Sequence, residues 1–201
     1  RGDFYCLLTH FDLPFSSDFL LPMGRLRESR IGARRADLVV VSKCPENLSN
    51  AQKLEMKMQI SNYLKSETPI FFSKIKYGKP TGMGYDQHFT SSVILISGLA
   101  DDRLFISHCK SNYDVLEVMT FSDHYQYNLV DANKISGLAK KHHTETPVLL
   151  TTEKDAVKLK SLADQGFLGE IPIFALPIEA KFDKGDKQML LSYIQSKFIN
   201  E

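Results

Sequence analysis

Residues 148–158, Val-Leu-Leu-Thr-Thr-Glu-Lys-Asp-Ala-Val-Lys, decide the fold class, because an apolar run passes directly into a charged one. The first three residues predict a short buried strand. Thr152 and Asp155 then predict the start of a helix with no loop between the two elements. A strand followed at once by a helix is typical of α/β proteins built on a mostly parallel sheet.

The same succession repeats on both sides of this segment. Before it, the pattern predicts strands at 93–96 and 115–121, with helices from Asp101 and at 135–141; after it, a strand at 171–176 and a helix at 188–198 with Leu190, Leu191, Ile194 and Phe198 on one face. We therefore predict a mostly parallel sheet that is covered by helices on both faces.

The first 77 residues form a separate series of elements. Short strands are predicted at 4–8, 38–41 and 70–77, and Ser49 with Gln52 forms a capping box that predicts a helix start. Residues 78–87 collect glycine, proline and polar residues, which favours a domain boundary there. Because the apolar pattern begins at the first residues, we expect the chain to be part of a longer protein.

Composition excludes several classes of protein. The chain has 201 residues and a formal charge of +1, which gives no reason to expect nucleic-acid binding. No apolar run approaches the roughly 20 residues that a membrane-spanning helix needs, and the first residues lack a signal-peptide pattern. Three cysteines without a short spacing argue against a disulfide framework or a zinc site.

The segment 20–28, Leu-Leu-Pro-Met-Gly-Arg-Leu-Arg-Glu, is the first candidate site. Arginine offers fixed, charge-assisted donors suited to phosphate, and a neighbouring glutamate could bind Mg²⁺ or hold an arginine in place. Composition alone favours a simpler reading, in which the charges pair with each other on a solvated loop. Met23, Phe15 and Phe19 are apolar residues in or just before this segment, and a core position is favoured for the two phenylalanines.

The segment 121–127, Phe-Ser-Asp-His-Tyr-Gln-Tyr, is the second candidate site. It follows a predicted strand, and ligands of open α/β sheets gather at the carboxyl ends of strands. His124 could orient a carboxylate base or share its proton. A surface turn in which Asp123 caps the next segment explains the same residues equally well.

Three other features are not assigned a function. The capped first turn of the helix from Thr152 explains residues 151–158 without a ligand. His142 and His143 are expected on a solvated helix end, since nothing near them supplies a metal shell. Residues 78–81, Gly-Lys-Pro-Thr, lack the upstream glycine and the strand-to-helix setting of a phosphate loop.

Taken together and in order, these segments resemble the tetraacyldisaccharide 4'-kinase family. The resemblance rests on residues 21–28, on 35–43 (Arg-Ala-Asp-Leu-Val-Val-Val-Ser-Lys), on 96–100 (Ile-Ser-Gly-Leu-Ala), on 121–127 and on 149–158. It covers essentially the whole chain.

The resemblance implies a fold, a reaction and a location. The family is a P-loop kinase that transfers the γ-phosphate of ATP, with Mg²⁺, to the 4'-hydroxyl of a tetraacyldisaccharide 1-phosphate in lipid A biosynthesis. It acts peripherally at the cytoplasmic face of the inner membrane, with no nucleic acid and no protein partner implied. By the resemblance, residues 1–77 are the latter part of the P-loop domain, to which 181–201 can return, and 78–180 are a smaller α/β/α domain. The strands near Phe72 and Phe174 are expected to form a two-stranded linker.

The resemblance also implies roles for particular residues. Arg27 and Glu28 are expected on the nucleotide side of the site, with Glu28 as the Mg²⁺ ligand, and His124 as the catalytic residue that partners an aspartate. That aspartate and the phosphate-loop residues belong to the part of the family that this chain lacks. The segment 122–125 reads Ser-Asp-His-Tyr where many members have Pro-Asp-His-His.

Two other functions stay open at this point. One is a non-catalytic α/β module that binds an acylated or phosphorylated sugar. The other is a nucleotide-sugar transferase built on the sheet from Val93 onward, although Ser97-Gly98 is not a dinucleotide fingerprint. Because phosphoryl transfer depends on positioning and charge neutralisation, we predict little or no kinase activity for this chain alone.

Overall fold

The computed structural model describes residues 4–84 and 87–198. The chain divides into two compact units, Arg1–Lys76 with Glu179–Glu201 (unit 1) and Tyr77–Ile178 (unit 2). Each unit has its own sheet, and the α/β fold class is confirmed. Within the described ranges, no helix combines the length and the apolar character needed to cross a membrane.

Unit 1 is a four-stranded sheet with a helix on each face. Its elements are β1 (Cys6–His10), a 3-10 helix (Arg30–Arg35), β2 (Leu38–Ser42), α1 (Asn50–Ser61), β3 (Ile70–Tyr77), β9 (Ile178–Phe182) and α5 (Lys184–Phe198). The strand order is β1-β2-β3-β9, and β1, β2 and β3 are parallel. Val39, Val41 and Phe72 pack against α1, whereas Leu38, Val40 and Phe71 pack against α5. The alternation of strand residues between two helix layers explains why β2 is apolar throughout.

The start of α1 is as the sequence predicted. The Ser49 hydroxyl accepts a hydrogen bond from the Gln52 N–H at 3.2 Å, and the Gln52 side chain accepts one from the Ser49 N–H at 2.9 Å. Both bonds satisfy amides that the helix itself leaves unpaired. Met56 and Ile60 are the buried residues of the helix.

Unit 2 is a five-stranded sheet in the order β4-β8-β7-β5-β6. Its elements are β4 (Thr81–Gly82), β5 (Ser92–Ser97), α2 (Arg103–Asn112), β6 (Asp114–Thr120), α3 (Leu129–Lys141), β7 (Val148–Thr152), α4 (Glu153–Asp164) and β8 (Ile173–Leu176). All pairs except β4 with β8 are parallel. Helices α3 and α4 pack on the face that carries Ile94 and Leu149, and α2 packs on the face that carries Leu95 and Leu150. The predicted parallel sheet covered on both sides is confirmed.

Two expectations about elements were wrong, and one strand was not predicted. Phe174 lies in β8, inside the sheet of unit 2, so the strand near it is not a linker; the strand that joins the sheet of unit 1 is β9. Pro177 separates the two strands, and β9 has mostly exposed residues, which hid it from the apolar pattern. Helix α3 begins at Leu129 rather than Ile135, because Asn128 and Asp131 form a capping box.

The last helix also differs from its prediction. Helix α5 begins at Lys184, four residues earlier than expected. Leu190 and Ile194 pack on the sheet as predicted, together with Tyr193. Leu191 is 50% exposed and therefore does not belong to that face.

Candidate functional site

In unit 1, the first candidate segment lies in a turn that is organised by one aspartate. The buried carboxylate of Asp18 accepts hydrogen bonds from the Phe19 N–H at 2.8 Å and from the Arg25 side chain at 3.0 Å. Arg30 donates two hydrogen bonds to the Asp18 carbonyl oxygen, at 2.9 and 2.7 Å. We call residues 18–26 the Asp18 turn.

Backbone hydrogen bonds close the Asp18 turn. The Leu21 N–H donates to the Leu26 carbonyl and the Leu26 N–H to the Phe19 carbonyl, each at 2.9 Å. Gly24 is required here, since a Cβ atom would lie 2.2 Å from the Phe19 carbonyl oxygen. The turn therefore has a fixed conformation, which defines where the backbone of the following residues begins.

Arg27 and Glu28 follow the Asp18 turn, and both are exposed. Arg35 donates a hydrogen bond to Oε1 of Glu28, so the pairing of charges that composition favoured is present for Glu28. A Cβ atom on Gly32 would lie 2.9 Å from the Glu28 carboxylate. Only glycine at position 32 therefore leaves room for the carboxylate in this position. Arg27 has no hydrogen-bond or ion-pair partner among the residues that the structure describes, and its guanidinium is free to bind an anion.

In unit 2, the second candidate segment lies at the carboxyl ends of the central parallel strands. Strand β5 ends at Ser97, β6 at Thr120 and β7 at Thr152. The Phe121 N–H donates to the Ser97 carbonyl at 2.7 Å, which holds the segment after β6 against the end of β5. We call residues 121–127 the His124 loop.

The His124 loop presents its histidine to solvent. His124 has a φ of 58°, a left-handed conformation that is uncommon for residues other than glycine. Its N–H donates to Oδ1 of Asp123 at 2.9 Å, and its ring Nε2 lies 3.6 Å from Oδ2 of the same carboxylate. The side chain is 87% exposed. Phe121 packs against the rings of Tyr125 and Tyr127, with ring centroids 4.7 and 5.0 Å apart, so the loop has an aromatic base.

Lys154 joins the His124 loop to the other two strand ends. Its ammonium group donates to Oδ1 of Asp123 at 2.5 Å and to the Gly98 carbonyl at 3.1 Å. The hydrogen bond from Lys154 keeps the pKa of the Asp123 carboxyl below its ordinary value. No local sequence pattern indicates this contact, because Lys154 lies in a polar first turn that a helix start explains by itself.

Asp155, the residue after Lys154, stabilises the start of α4 from a buried position. Its buried carboxylate accepts hydrogen bonds from the Gly98 N–H at 2.9 Å and from the Thr152 hydroxyl at 3.0 Å. A Cβ atom on Gly98 would lie 3.0 Å from Asp155 and 3.3 Å from the Tyr127 hydroxyl, so a glycine is needed at this close approach. Burial, with a smaller contribution from the Asp155 charge, raises the pKa of the Tyr127 hydroxyl.

Two of the features left without a function are the histidines that follow α3. His143 is exposed as expected, whereas the His142 side chain is only 19% exposed and its Nε2 lies 3.2 Å from a Glu117 oxygen. Among the described residues, no group of three histidine, cysteine or acidic side chains could hold a metal ion. Thr81 begins a short strand rather than a helix, so residues 78–81 do not form a phosphate loop.

A cleft of about 890 Å³ lies at the amino ends of the strands of unit 2. Pro147, Val148 and Pro172 line it, together with His88 and His143. It is at the edge opposite the His124 loop, whereas ligands of parallel α/β sheets bind at the carboxyl ends. We therefore take the His124 loop as the candidate site of this unit.

Residues 2–196 match the family described as tetraacyldisaccharide-1-P 4'-kinase, LpxK. The chain belongs to this family. The resemblance seen in the sequence is thereby confirmed over nearly every residue. A non-catalytic sugar-binding module is not favoured, because the curated relatives are named as kinases.

Two curated relatives of this kinase family come from flavobacteria. The tetraacyldisaccharide 4'-kinase of Flavobacterium johnsoniae is 34% identical over 200 residues, which cover 97% of this chain and 55% of the relative. That of Flavobacterium psychrophilum is 31% identical over 210 residues, with 100% and 57% covered. The chain thus spans little more than half the length of the relatives that it matches.

A solved structure of the family is also similar. The crystal structure of the "apo" form of LpxK from Aquifex aeolicus in complex with ATP matches with a TM-score of 0.59 and 25% sequence identity. The match covers 98% of this chain and 53% of that protein. The kinase fold therefore extends over both units of the chain.

Proposed function

We propose that this chain is part of a kinase that transfers the γ-phosphate of ATP to the 4'-hydroxyl of a tetraacyldisaccharide 1-phosphate, in lipid A biosynthesis. The match to the kinase family over residues 2–196 carries the proposal. The relative solved in complex with ATP supports ATP as the phosphate donor. We assign residues 1–77, with 181–201, to the latter part of the P-loop domain and 78–180 to the small α/β domain.

We assign Arg27 to the phosphates of the nucleotide. An arginine that is exposed and has no protein partner keeps its full donor capacity for an anion. Phosphoryl transfer spreads negative charge over the transferred group, and a guanidinium beside that group neutralises part of it. The Asp18 turn, which precedes Arg27, supplies the rigidity that such positioning needs.

We assign Glu28 to Mg²⁺. In kinases this ion binds through one or two carboxylates and otherwise through phosphate oxygens and water, so a single exposed carboxylate fits. Arg35 donates a hydrogen bond to Oε1 of Glu28, which orients the carboxylate that would hold the ion. When bound, the ion neutralises charge on the transferred phosphate.

We assign His124 as the catalytic residue of this chain. Its ring reaches solvent while Asp123 and Lys154 fix the backbone that carries it. In that position Nε2 can exchange a hydrogen bond with the carboxylate that takes the proton from the substrate hydroxyl. By the family resemblance, that carboxylate belongs to the part of the kinase that precedes this chain.

We also propose that the kinase contacts the cytoplasmic face of the inner membrane peripherally. The described residues contain no helix that could span a bilayer. The proposed substrate carries four acyl chains, so the enzyme has to meet it at a lipid surface.

The experiment that tests the function is phosphate transfer from ATP to a tetraacyldisaccharide 1-phosphate, with the product identified by mass. The longest gene product that contains this chain is compared with the 201-residue chain alone. We expect transfer by the longer product and no measurable transfer by the shorter one. A folded longer product that binds the lipid without phosphorylating it would overturn the proposal.

A further inference from the structure

The tip of the Asp18 turn exposes four large apolar side chains within five residues. Phe19 is 58% exposed, Leu20 50%, Leu21 60% and Met23 84%. Soluble proteins expose single apolar residues routinely, but a contiguous group of this size marks a surface that binds another apolar surface. We call residues 19–23 the apolar tip.

Hydrogen bonds at the base of the Asp18 turn fix the apolar tip in its exposed conformation. The Asp18 carboxylate, the backbone bonds across the turn and the two hydrogen bonds from Arg30 all lie at its base. The Arg30 guanidinium also lies 5.4 Å from the centre of the Phe19 ring. Because the turn is already ordered, docking these side chains requires little further loss of conformational freedom.

Positive charge surrounds the apolar tip along the chain. Five of the seven arginines of the chain lie between residues 25 and 35, and the segment from the start of the Asp18 turn to Arg35 contains two acidic residues, Asp18 and Glu28. Residues 18–35 therefore have a formal charge of +3, with Arg25 paired to Asp18 and Arg35 to Glu28. Apolar side chains beside clustered basic side chains bind anionic lipid surfaces. Either kind of side chain alone binds such a surface only weakly.

We propose that the apolar tip docks on the surface of a bilayer that contains anionic phospholipid, with Leu21 and Met23 entering the headgroup region. The exposed guanidinium of Arg25 then faces the lipid phosphates. The inference rests on the proposed function, since it names the surface by which the kinase reaches a lipid substrate. It concerns binding alone, so it can fail while the kinase activity stands.

The first test is flotation of the longest gene product with vesicles of phosphatidylglycerol and phosphatidylcholine, without ATP. Because each large apolar side chain that leaves water contributes about a factor of ten, Leu21→Ser/Met23→Ser should lower binding at least about tenfold. The matched control is Leu54→Ser/Met58→Ser, which removes a leucine and a methionine that are 58% and 59% exposed on α1 of the same unit. The control should change binding less than about twofold.

A second variant keeps the proposal testable if the double variant folds poorly. The chain contains no tryptophan, so Met23→Trp adds a reporter whose signal is read against the parent protein. On vesicles with brominated lipid, we expect the added fluorescence to be quenched and blue-shifted for Met23→Trp but not for Met58→Trp. Binding should weaken in high salt and on pure phosphatidylcholine.

Three outcomes would overturn the proposal. One is a product that does not bind anionic vesicles at all. Another is equal loss of binding in the serine variants of the apolar tip and of α1. The third is a vesicle-bound Met23→Trp product without quenching, which would show that the rest of the protein, or another partner, covers the apolar tip.

Discussion

Asp18 in unit 1 and Asp123 in unit 2 each organise a loop after a parallel strand, but they do so in opposite ways. Asp18 is buried, and all of its contacts fix the shape of its turn. Asp123 is exposed and held by Lys154, and the loop that it supports presents a solvent-facing histidine. The first carboxylate fixes the backbone of its own turn, whereas the second supports a loop that carries an exposed side chain.

The pKa values of the two carboxyls are both lowered, but by different contacts. Burial alone would raise the pKa of Asp18, but hydrogen bonds from Phe19 and Arg25 outweigh it and lower the pKa below its ordinary value. The pKa of Asp123 is lowered chiefly by the single hydrogen bond from Lys154. We therefore expect changes near Asp18 to act on stability and changes near Asp123 to act on activity.

The largest effect on stability is expected for Gly24→Ala. The new Cβ would lie 2.2 Å from the Phe19 carbonyl oxygen and 2.5 Å from Oδ1 of Asp18, so the turn has to open. We expect a loss of about 2–3 kcal/mol in the free energy of unfolding, measured by urea denaturation.

The matched control for that prediction is Gly137→Ala. Gly137 lies in α3 with nothing within 4 Å of a new Cβ, so alanine should stabilise the protein by up to about 1 kcal/mol. If both alanine variants had the same stability, the Asp18 turn would not have the fixed conformation described above.

A smaller effect, on activity, is expected for Lys154→Met. Without the ammonium group, Asp123 and the Gly98 carbonyl lose the contact that joins them, and the His124 loop loses a support. We expect phosphate transfer by the longest gene product to fall about tenfold, with an unchanged KM for ATP, and Lys154→Arg to restore part of it.

Lys160→Met is the control for Lys154. Lys160 lies on the same helix and pairs with Asp164 at 2.6 Å, four residues on. Its loss should leave transfer unchanged, since exposed pairs of this kind contribute little. Equal losses of activity in the two methionine variants would argue against a positioning role for Lys154.

The smallest effect is the pH dependence that Asp18 adds to stability. Because the folded-state pKa is lowered, the stabilisation is complete above the ordinary pKa of an aspartate and is lost as the pH falls through the folded-state pKa. Asp18→Asn should therefore lower the unfolding midpoint at pH 7, and its difference from the parent protein should shrink as the pH falls below about 4. A difference that stayed constant down to pH 3 would show that the charge of Asp18 is not involved.

Local signals in the sequence predicted much of the fold. The capping box of Ser49 and Gln52 gave the start of α1, and the apolar run at 93–96 gave the central strand of unit 2. Both depend on neighbouring residues only. Strand β9 was not predicted because its side chains are mostly exposed. Helix α3 was predicted too short because Leu129 and Val130, on its first turn, are exposed apolar residues that do not fit the buried pattern.

The candidate site was predicted less completely, for a related reason. His124 was proposed as a site residue from its place after a strand and from the family resemblance, and that role stays a prediction. The contact between Lys154 and Asp123, which supports its loop, joins residues 31 positions apart, and no local pattern shows it. Phe19 was expected in a core because aromatic residues usually are buried, yet it is 58% exposed on the Asp18 turn. Phe15 is half-buried against the core of unit 1, in agreement with its prediction.

The most direct test measures His124→Ala twice, for phosphate transfer and for the unfolding midpoint, in the longest gene product. His143→Ala, an exposed histidine at the opposite edge of the same sheet, serves as the control. Since an 87% exposed side chain contributes little to packing, we predict an unchanged midpoint and a fall in transfer of at least about a hundredfold for His124→Ala only. Transfer that persists without His124, or that falls only as far as stability falls, would contradict the account.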